Sequence, residues 1–281
     1  MKLRRWGLFV VIGLMLAVVV ACSSDDANET SGETGTAGNG DTAGEDEGKV
    51  LNFINPENIP TMDSSLATDE SSFVYLAATT EGLYRLDADT QTTPGIAEDH
   101  EESDDGLTWT FNLREDAEWQ NGDPVTAHDF VYAWQRAVDP DTGSEYGPYM
   151  MNDVIKNAEA ISKGDKPVEE LGATAEDDYT LVVELENPTP YFETLTTFGT
   201  FFPLNEDFIE EKGEDYAMNA DNLLANGPYK MNNWESTSDS WELVKNEDYW
   251  DADSVEMDKL TFEVVKDPQT AVDLYQSGVV D

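Results

Sequence analysis

Sixty carboxylates, two imidazoles and one thiol are the groups in this 281-residue chain that chemistry would draw on. Paired carboxylates can flank a glycosidic bond, one as acid and the other as base or nucleophile. A chain this acidic supplies such pairs at any spacing, so their presence selects no reaction. His100 and His128 are too few and too isolated for a transition-metal site, and the acids form no EF-hand loop. No nucleophile elbow, phosphate loop or zinc motif occurs. His128, at the start of a helix, has no identifiable partner to orient it as a base, and Arg114 and Arg136 are expected to pair with the abundant acids. The residue types thus predict a non-enzymatic protein with no metal and no cofactor.

The single thiol sits where it is most informative. Lys2, Arg4 and Arg5 give a positive start, residues 6–21 are uncharged and apolar, and the run closes on Val19-Val20-Ala21-Cys22. The run falls short of the ~20 apolar residues of a spanning helix, and its flanks are those of a secretory signal. The Val-Val-Ala-Cys ending resembles a bacterial lipoprotein signal, in which the chain is cut before the cysteine and the thiol then carries lipid. Residues 1–21 are therefore expected to be the signal and Cys22 the lipidation site; an uncleaved N-terminal anchor is the competing reading. A sole cysteine leaves no disulfide framework. Residues 23–48 contain no aromatic, large aliphatic or basic residue. Such a segment cannot bury enough apolar surface to offset the entropy of ordering, so residues 22–48 read as an acidic, self-repelling flexible tether; an acidic interaction tail is the alternative. The expected location is the cell membrane, lipid-anchored at its extracellular face, or the periplasmic side where an outer membrane exists.

Charge excludes partners. Fifteen Lys and Arg against 60 Asp and Glu give −45, and removing the three cations of residues 1–21 leaves −48. Nucleic acid is excluded, since a phosphate backbone needs basic neutralisation, and an anionic membrane surface would be repelled. The acids are spread along the chain, which fits a halophilic protein exposed to brine, where screening relieves self-repulsion.

About 230 residues remain beyond the tether, enough for one large domain or two modest lobes. Residues 49–55 read as a strand. The spacing of Phe73, Leu76, Ala77 and Thr80 predicts a helix over 69–80 buried on that face. Residues 107–113 alternate as a strand with Leu107, Trp109, Phe111 and Leu113 on one side. Asn121-Gly122-Asp123-Pro124 is a turn. Thr126 caps a helix to Val138, with Asp129 as an acidic variant of the capping box and Phe130, Val131, Trp134 and Val138 as its apolar stripe. Trp109, Phe111, Phe130, Trp134 and Val138 are expected in the core. Further strands are expected over 179–185 and 259–265, short helices over 191–198 and 208–212, and an antiparallel pair over 227–234 and 240–245. Asp267-Pro268 opens a helix to Gly278, and Val279-Val280-Asp281 reads as the opening of another strand, so the chain is read as truncated.

Several blocks carry a family resemblance. The longest is residues 107–140, LTWTFNLREDAEWQNGDPVTAHDFVYAWQRAVDP; it is supported by Glu81-Gly82-Leu83, Asn187-Pro188 with Pro190-Tyr191-Phe192, Asn226-Gly227-Pro228-Tyr229, and Lys245-Asn246 with Tyr249-Trp250. Together they resemble the extracellular solute-binding proteins of ABC importers, specifically the oligopeptide-binding family. The resemblance implies an α/β, two-lobed periplasmic-binding-protein-like (type II) fold, incomplete at the C-terminus. Residues 49–80 would be the first part of the main lobe, 81–202 a smaller inserted lobe, and 203–281 the continuation of the main lobe. The implied function is capture of extracellular oligopeptides and their delivery to ABC permease subunits in the membrane, with the lipid anchor at Cys22. A lipid-anchored surface adhesin and a glycan-acting enzyme are the alternatives.

The resemblance also implies ligand contacts. It places a ligand-contacting tyrosine of the smaller lobe at Tyr146, and a tyrosine offers area and a hydroxyl without charge discrimination. Thr68, Asp69 and Glu70 match the family segment between first strand and first helix, whose backbone and acidic side chain meet bound peptide. Thr68 stands where an acid is common, with the acids displaced to the next two positions; a plain helix cap by Asp69 is the competing explanation. The group expected to pair with the peptide's α-amino end would lie past residue 281.

Overall fold

The computed structural model describes residues 48–281. The expected signal, the lipidation site Cys22 and nearly all of the tether lie outside the described residues. Along the chain the strands are β1 (Val50–Asn55), β2 (Tyr84–Leu86), β3 (Thr92–Pro94), β4 (Ala97–Glu102), β5 (Thr108–Leu113), β6 (Ala173–Asp177), β7 (Thr180–Glu184), β8 (Tyr229–Asn232), β9 (Ser240–Lys245) and β10 (Lys259–Val264). The α-helices are α1 (Glu70–Thr79), α2 (Ala127–Val138), α3 (Tyr146–Met151), α4 (Ala158–Ser162), α5 (Phe192–Leu195), α6 (Glu206–Lys212) and α7 (Pro268–Ser277).

Two four-stranded sheets organise two hydrophobic clusters. In one sheet, ordered β4-β5-β7-β6, every pairing is antiparallel. Alternation along β5 turns Trp109, Phe111 and Leu113 inward, where they meet Phe192 and the α2 residues Phe130 and Trp134 in a cluster drawn from residues 83–204. Trp134 also donates its indole N–H to the Phe201 carbonyl at 2.9 Å. The other sheet runs β1-β10-β9-β8, with β1 parallel to β10 and the rest antiparallel. The register sets Phe53 beside Phe262 and Phe262 beside Trp241. These rings stack, and Tyr75 of α1 meets Trp241 and Phe262 edge-on at 5.2 and 5.1 Å. Residues from both 59–76 and 202–243 form this second cluster. The parallel β1–β10 pair joins segments more than 200 residues apart, so the chain leaves this sheet, passes through 81–202 and returns to it.

Capping explains where the principal helices begin. Thr126 precedes α2, and Asp129 reaches back to accept its N–H at 2.7 Å and its hydroxyl at 3.1 Å. Asp69 and Asp267 cap α1 and α7 through the N–H groups of Ser72 and Thr270, and Pro268 takes the first position of α7.

Two expectations are corrected, and two strands are added to them. The buried face of α1 is Ser72, Tyr75, Leu76 and Thr79, while Ala77 is exposed and Phe73 and Thr80 only half-buried. Residues 73–78 are apolar on every side of the helix, so spacing could not choose the face; the aromatic ladder of the β1–β10–β9 sheet chose it. Strands β4 and β6 were not foreseen, because they edge their sheet and carry acids outward (Ala97–Glu102 reads AEDHEE), which hides the alternation. The strand expected from Val279 is not formed among the described residues. Asp281 alone reaches β1, its N–H donating to the Asn52 carbonyl and its carboxylate accepting the Asn52 N–H, each at 2.9 Å, and contact at one residue does not make a ladder.

Candidate ligand-binding site

The segment joining β1 to α1 is ordered by its own burial. Ile59, Met62 and Ala67 lie in the second cluster, and Asp63, Ser64 and Ser65 are buried polar residues between them. Its exit delivers the residues singled out in the sequence. Thr68 is exposed. Asp69 is half-buried and gives both carboxylate oxygens to Ser72, one to its N–H and one to its hydroxyl, each at 2.8 Å. Glu70 is exposed in the first turn of α1, where a negative charge suits the helix dipole. The cap reading of Asp69 therefore holds, and Glu70 is the acid that faces outward.

Tyr146 opens α3, a short helix held against the last turn of α2. The adjoining Gly147 packs so closely on the Ala137 carbonyl that a Cβ there would overlap it, which is why this position has no side chain. The Tyr146 ring is half-buried. It stacks on Phe198 at 5.8 Å and 12°, and meets Phe73 of α1 at 5.6 Å and Tyr149 at 5.7 Å. Phe73 and Phe198 touch at 4.5 Å. The structure thus brings Tyr146 to within one ring of α1, a single helical turn from Asp69 and Glu70. Tyr149 stands 78% exposed at the margin of this aromatic group.

Phe73, Phe198 and Tyr149 were missed as members of this group. The spacing puts Phe73 on the buried face of α1, and neither Phe198 nor Tyr149 has a sequence pattern that separates it from core or surface. The residues expected in the core, Trp109, Phe111, Phe130, Trp134 and Val138, are all buried in the first cluster. His128 is exposed, 3.5 Å from Asp178.

The 81–202 stretch is fastened to the rest by polar contacts, the Glu81–Asn226 pair buried among them. Glu81 donates its N–H to Asn226 Oδ1 at 3.0 Å and accepts at its carbonyl from Asn226 Nδ2 at 3.2 Å. The Glu81 side chain is buried, with Trp250 Nε1 donating to it at 2.5 Å and Arg85 at 3.4 Å. Burial pushes its carboxyl above the usual carboxylate range, against the pull of the Trp250 hydrogen bond. Arg85 also donates to the Tyr249 hydroxyl and to Asp251, and Arg114 lies 3.1 Å over the Trp250 ring. Gln120 exchanges hydrogen bonds with Ala225. Burial likewise raises Asp129 to about 6, although the Thr126 N–H opposes the shift.

These groups offer aromatic faces, a helix start and an outward acid; that set is suited to holding a ligand. Among the described residues, no group of three or more His, Cys, Asp or Glu is placed to hold a metal ion.

Residues 91–281 match the family described as bacterial extracellular solute-binding proteins, family 5 middle. The oligopeptide-binding protein OppA of Bacillus subtilis is 38% identical over 280 residues, covering 99% of this chain and 49% of that protein. The dipeptide-binding protein DppE of the same organism is 37% identical over 279 residues, with the same coverage of each. A solved structure of Listeria monocytogenes OppA bound to peptide superposes with a TM-score of 0.81 at 47% identity, over 84% of this chain and 46% of that one. The chain spans about half the length of these relatives. It belongs to the family 5 bacterial extracellular solute-binding proteins, and its mixed α/β fold is of the periplasmic-binding-protein type II kind.

Proposed function

We propose that this chain forms part of the substrate-binding component of an ABC importer, which captures oligopeptides outside the cytoplasmic membrane and hands them to permease subunits. The observation that carries this reading is its likeness, along nearly the whole length, to proteins named for peptide binding. In it, residues 49–80 and 203–281 are the main lobe and 81–202 an inserted lobe, a division supported by the two separate hydrophobic clusters. Tyr146 supplies an uncharged face for peptide backbone and side chain, and the segment 68–70 lies along the peptide. Glu70 supplies the acidic contact, since Asp69 is committed to its cap. Binding is non-covalent. The protein is held at the membrane by lipid on Cys22 with residues 22–48 as tether, and its acidic surface suits saline surroundings.

Calorimetric titration of the purified protein, expressed at the length its gene specifies, tests the ligand class. Heat is expected from a library of short peptides and not from free sugars or metal ions; heat from sugars or metals alone overturns the peptide assignment. Mass spectrometry of the membrane-extracted protein tests the anchor, which requires a diacylglycerol-sized addition at Cys22.

A further inference from the structure

The last turn of α2 touches both halves of the candidate site. On one side, the Arg136 guanidinium grips Asp63 in a two-pronged pair, Nη1 to Oδ1 and Nη2 to Oδ2, each at 2.7 Å. Asp63 is only 5% exposed. It organises the turn that leads to Thr68: its Oδ1 accepts the Ser65 N–H at 3.0 Å, and its carbonyl accepts from Leu66 at 3.0 Å and Ala67 at 2.9 Å. On the other side, the carbonyl of the next residue, Ala137, is the surface on which Gly147 rests without room for a Cβ, and this sets Tyr146. One helical turn therefore fixes the 63–70 segment through a side chain and Tyr146 through its backbone.

We propose that Arg136 is a positioning residue for ligand binding: by gripping Asp63 it sets the Thr68–Glu70 segment at a fixed offset from Tyr146 across the two lobes. The assignment rests on the ligand-binding reading above. Its geometry is specific to arginine, because a planar fork with two parallel donors holds a carboxylate in one orientation, while a lysine ammonium supplies charge without that constraint. A buried carboxylate deprived of its partner must find water, and the accessible route is to open the turn it organises.

The test measures amide hydrogen exchange across the full chain in Arg136→Gln, Arg136→Lys and Val183→Ala. Val183 is a buried β7 residue of the first cluster that takes no part in the Arg136–Asp63 pair or the 63–70 turn, and controls for general destabilisation. Arg136→Gln is expected to speed exchange at Ser65, Leu66 and Ala67 by about tenfold or more, with Arg136→Lys intermediate, since charge returns without the fork. Val183→Ala is expected to speed exchange in β7 and leave 65–67 unchanged. Unchanged exchange at 65–67 in Arg136→Gln overturns the proposal, as does equal acceleration there in Val183→Ala. Titration with a tri- to pentapeptide library is then expected to show about tenfold weaker binding for Arg136→Gln than for Val183→Ala. If the unaltered protein binds no peptide, the ligand reading fails by itself, and the exchange data still decide the positioning.

Discussion

Asp129 makes a sharp test of the packing between α2 and its surroundings. The carboxylate is 8% exposed, accepts from the N–H and hydroxyl of Thr126, and has a pKa of about 6. An unfolded aspartate titrates near 3.9. The folded value is the higher one, so the native state holds the proton more tightly than the unfolded state, and stability from this group grows as pH falls through 6 and fades above it. Linkage over these two values gives about 2 kcal/mol between about pH 7.5 and pH 4.5. Replacing Asp129 with Asn keeps an oxygen for the Thr126 N–H and removes the titration. Other acids contribute to the pH dependence of both proteins and cancel in the difference between them. Urea unfolding followed by tryptophan fluorescence at both pH values should therefore show the stability of Asp129→Asn, relative to the unaltered chain, higher at pH 7.5 than at pH 4.5 by about 2 kcal/mol. A relative stability that is the same at both pH values, within about 0.5 kcal/mol, would refute the argument, because burial would then not govern this carboxyl.

Trp250→Phe removes the indole donor to the buried Glu81 carboxylate and should cost about 2 kcal/mol in urea melts; a loss under about 0.5 kcal/mol would mean that Arg85 and Tyr249 satisfy that acid without it. Glu70→Gln should weaken peptide binding about fivefold by calorimetry, as one exposed charge-assisted contact is lost, with only a small fall in the melting midpoint from the lost charge at the start of α1, whereas an unchanged affinity would remove Glu70 from the site. The thermal midpoint should rise with NaCl: nine of the twelve lysines and arginines in residues 48–281 already sit beside an acid, so most carboxylates have no cation, and screening at 1 M (Debye length about 3 Å) relieves them. A midpoint unchanged from about 0.1 to 1 M NaCl, with sucrose matched for exclusion effects, would show that these charges cost the fold nothing.

What could be read from sequence was local. The 107–113 alternation and the Thr126–Asp129 cap each constrain neighbouring residues, and both recur in β5 and α2 as expected. The edge strands β4 and β6 were illegible because an edge in an acidic protein is written in charged residues. The short α3 was illegible because Gly147 and Pro148 argue against a helix, and only the Ala137 carbonyl beneath Gly147 explains the choice. Site residues split the same way. Resemblance supplied Thr68, Asp69, Glu70 and Tyr146, but the Phe73–Phe198 contact that links them depends on which face of α1 the aromatic sheet claims. Arg136 was expected to find an acid. Nothing in a chain with 60 acids could say that the acid would be Asp63, 73 residues away.

The distribution of the basic residues follows a rule that the pairings make physical. Outside residues 1–21 there are three arginines, and each reaches out of the 81–202 stretch. Arg85 bonds Tyr249 and Asp251 as well as Glu81 of its own stretch, Arg114 pairs with Asp116 of its own stretch and covers Trp250 with its flat face, and Arg136 grips Asp63. The lysine pairs do the opposite. Lys156–Glu184, Lys163–Glu159 and Lys166–Glu170 stay within 81–202, and Lys212–Glu211, Lys230–Asp248 and Lys259–Glu242 stay within 203–281. A flexible ammonium at the surface forms a pair that salt screens and that contributes little. A guanidinium can fork onto one carboxylate, share its donors between two acceptors, or lie flat on an indole, and partly buried at a joint it is screened much less. In so acidic a chain, a junction between lobes needs cations that choose one partner among many acids, and shape rather than charge makes that choice. High salt should then release the lysine pairs first and leave the arginine contacts in place.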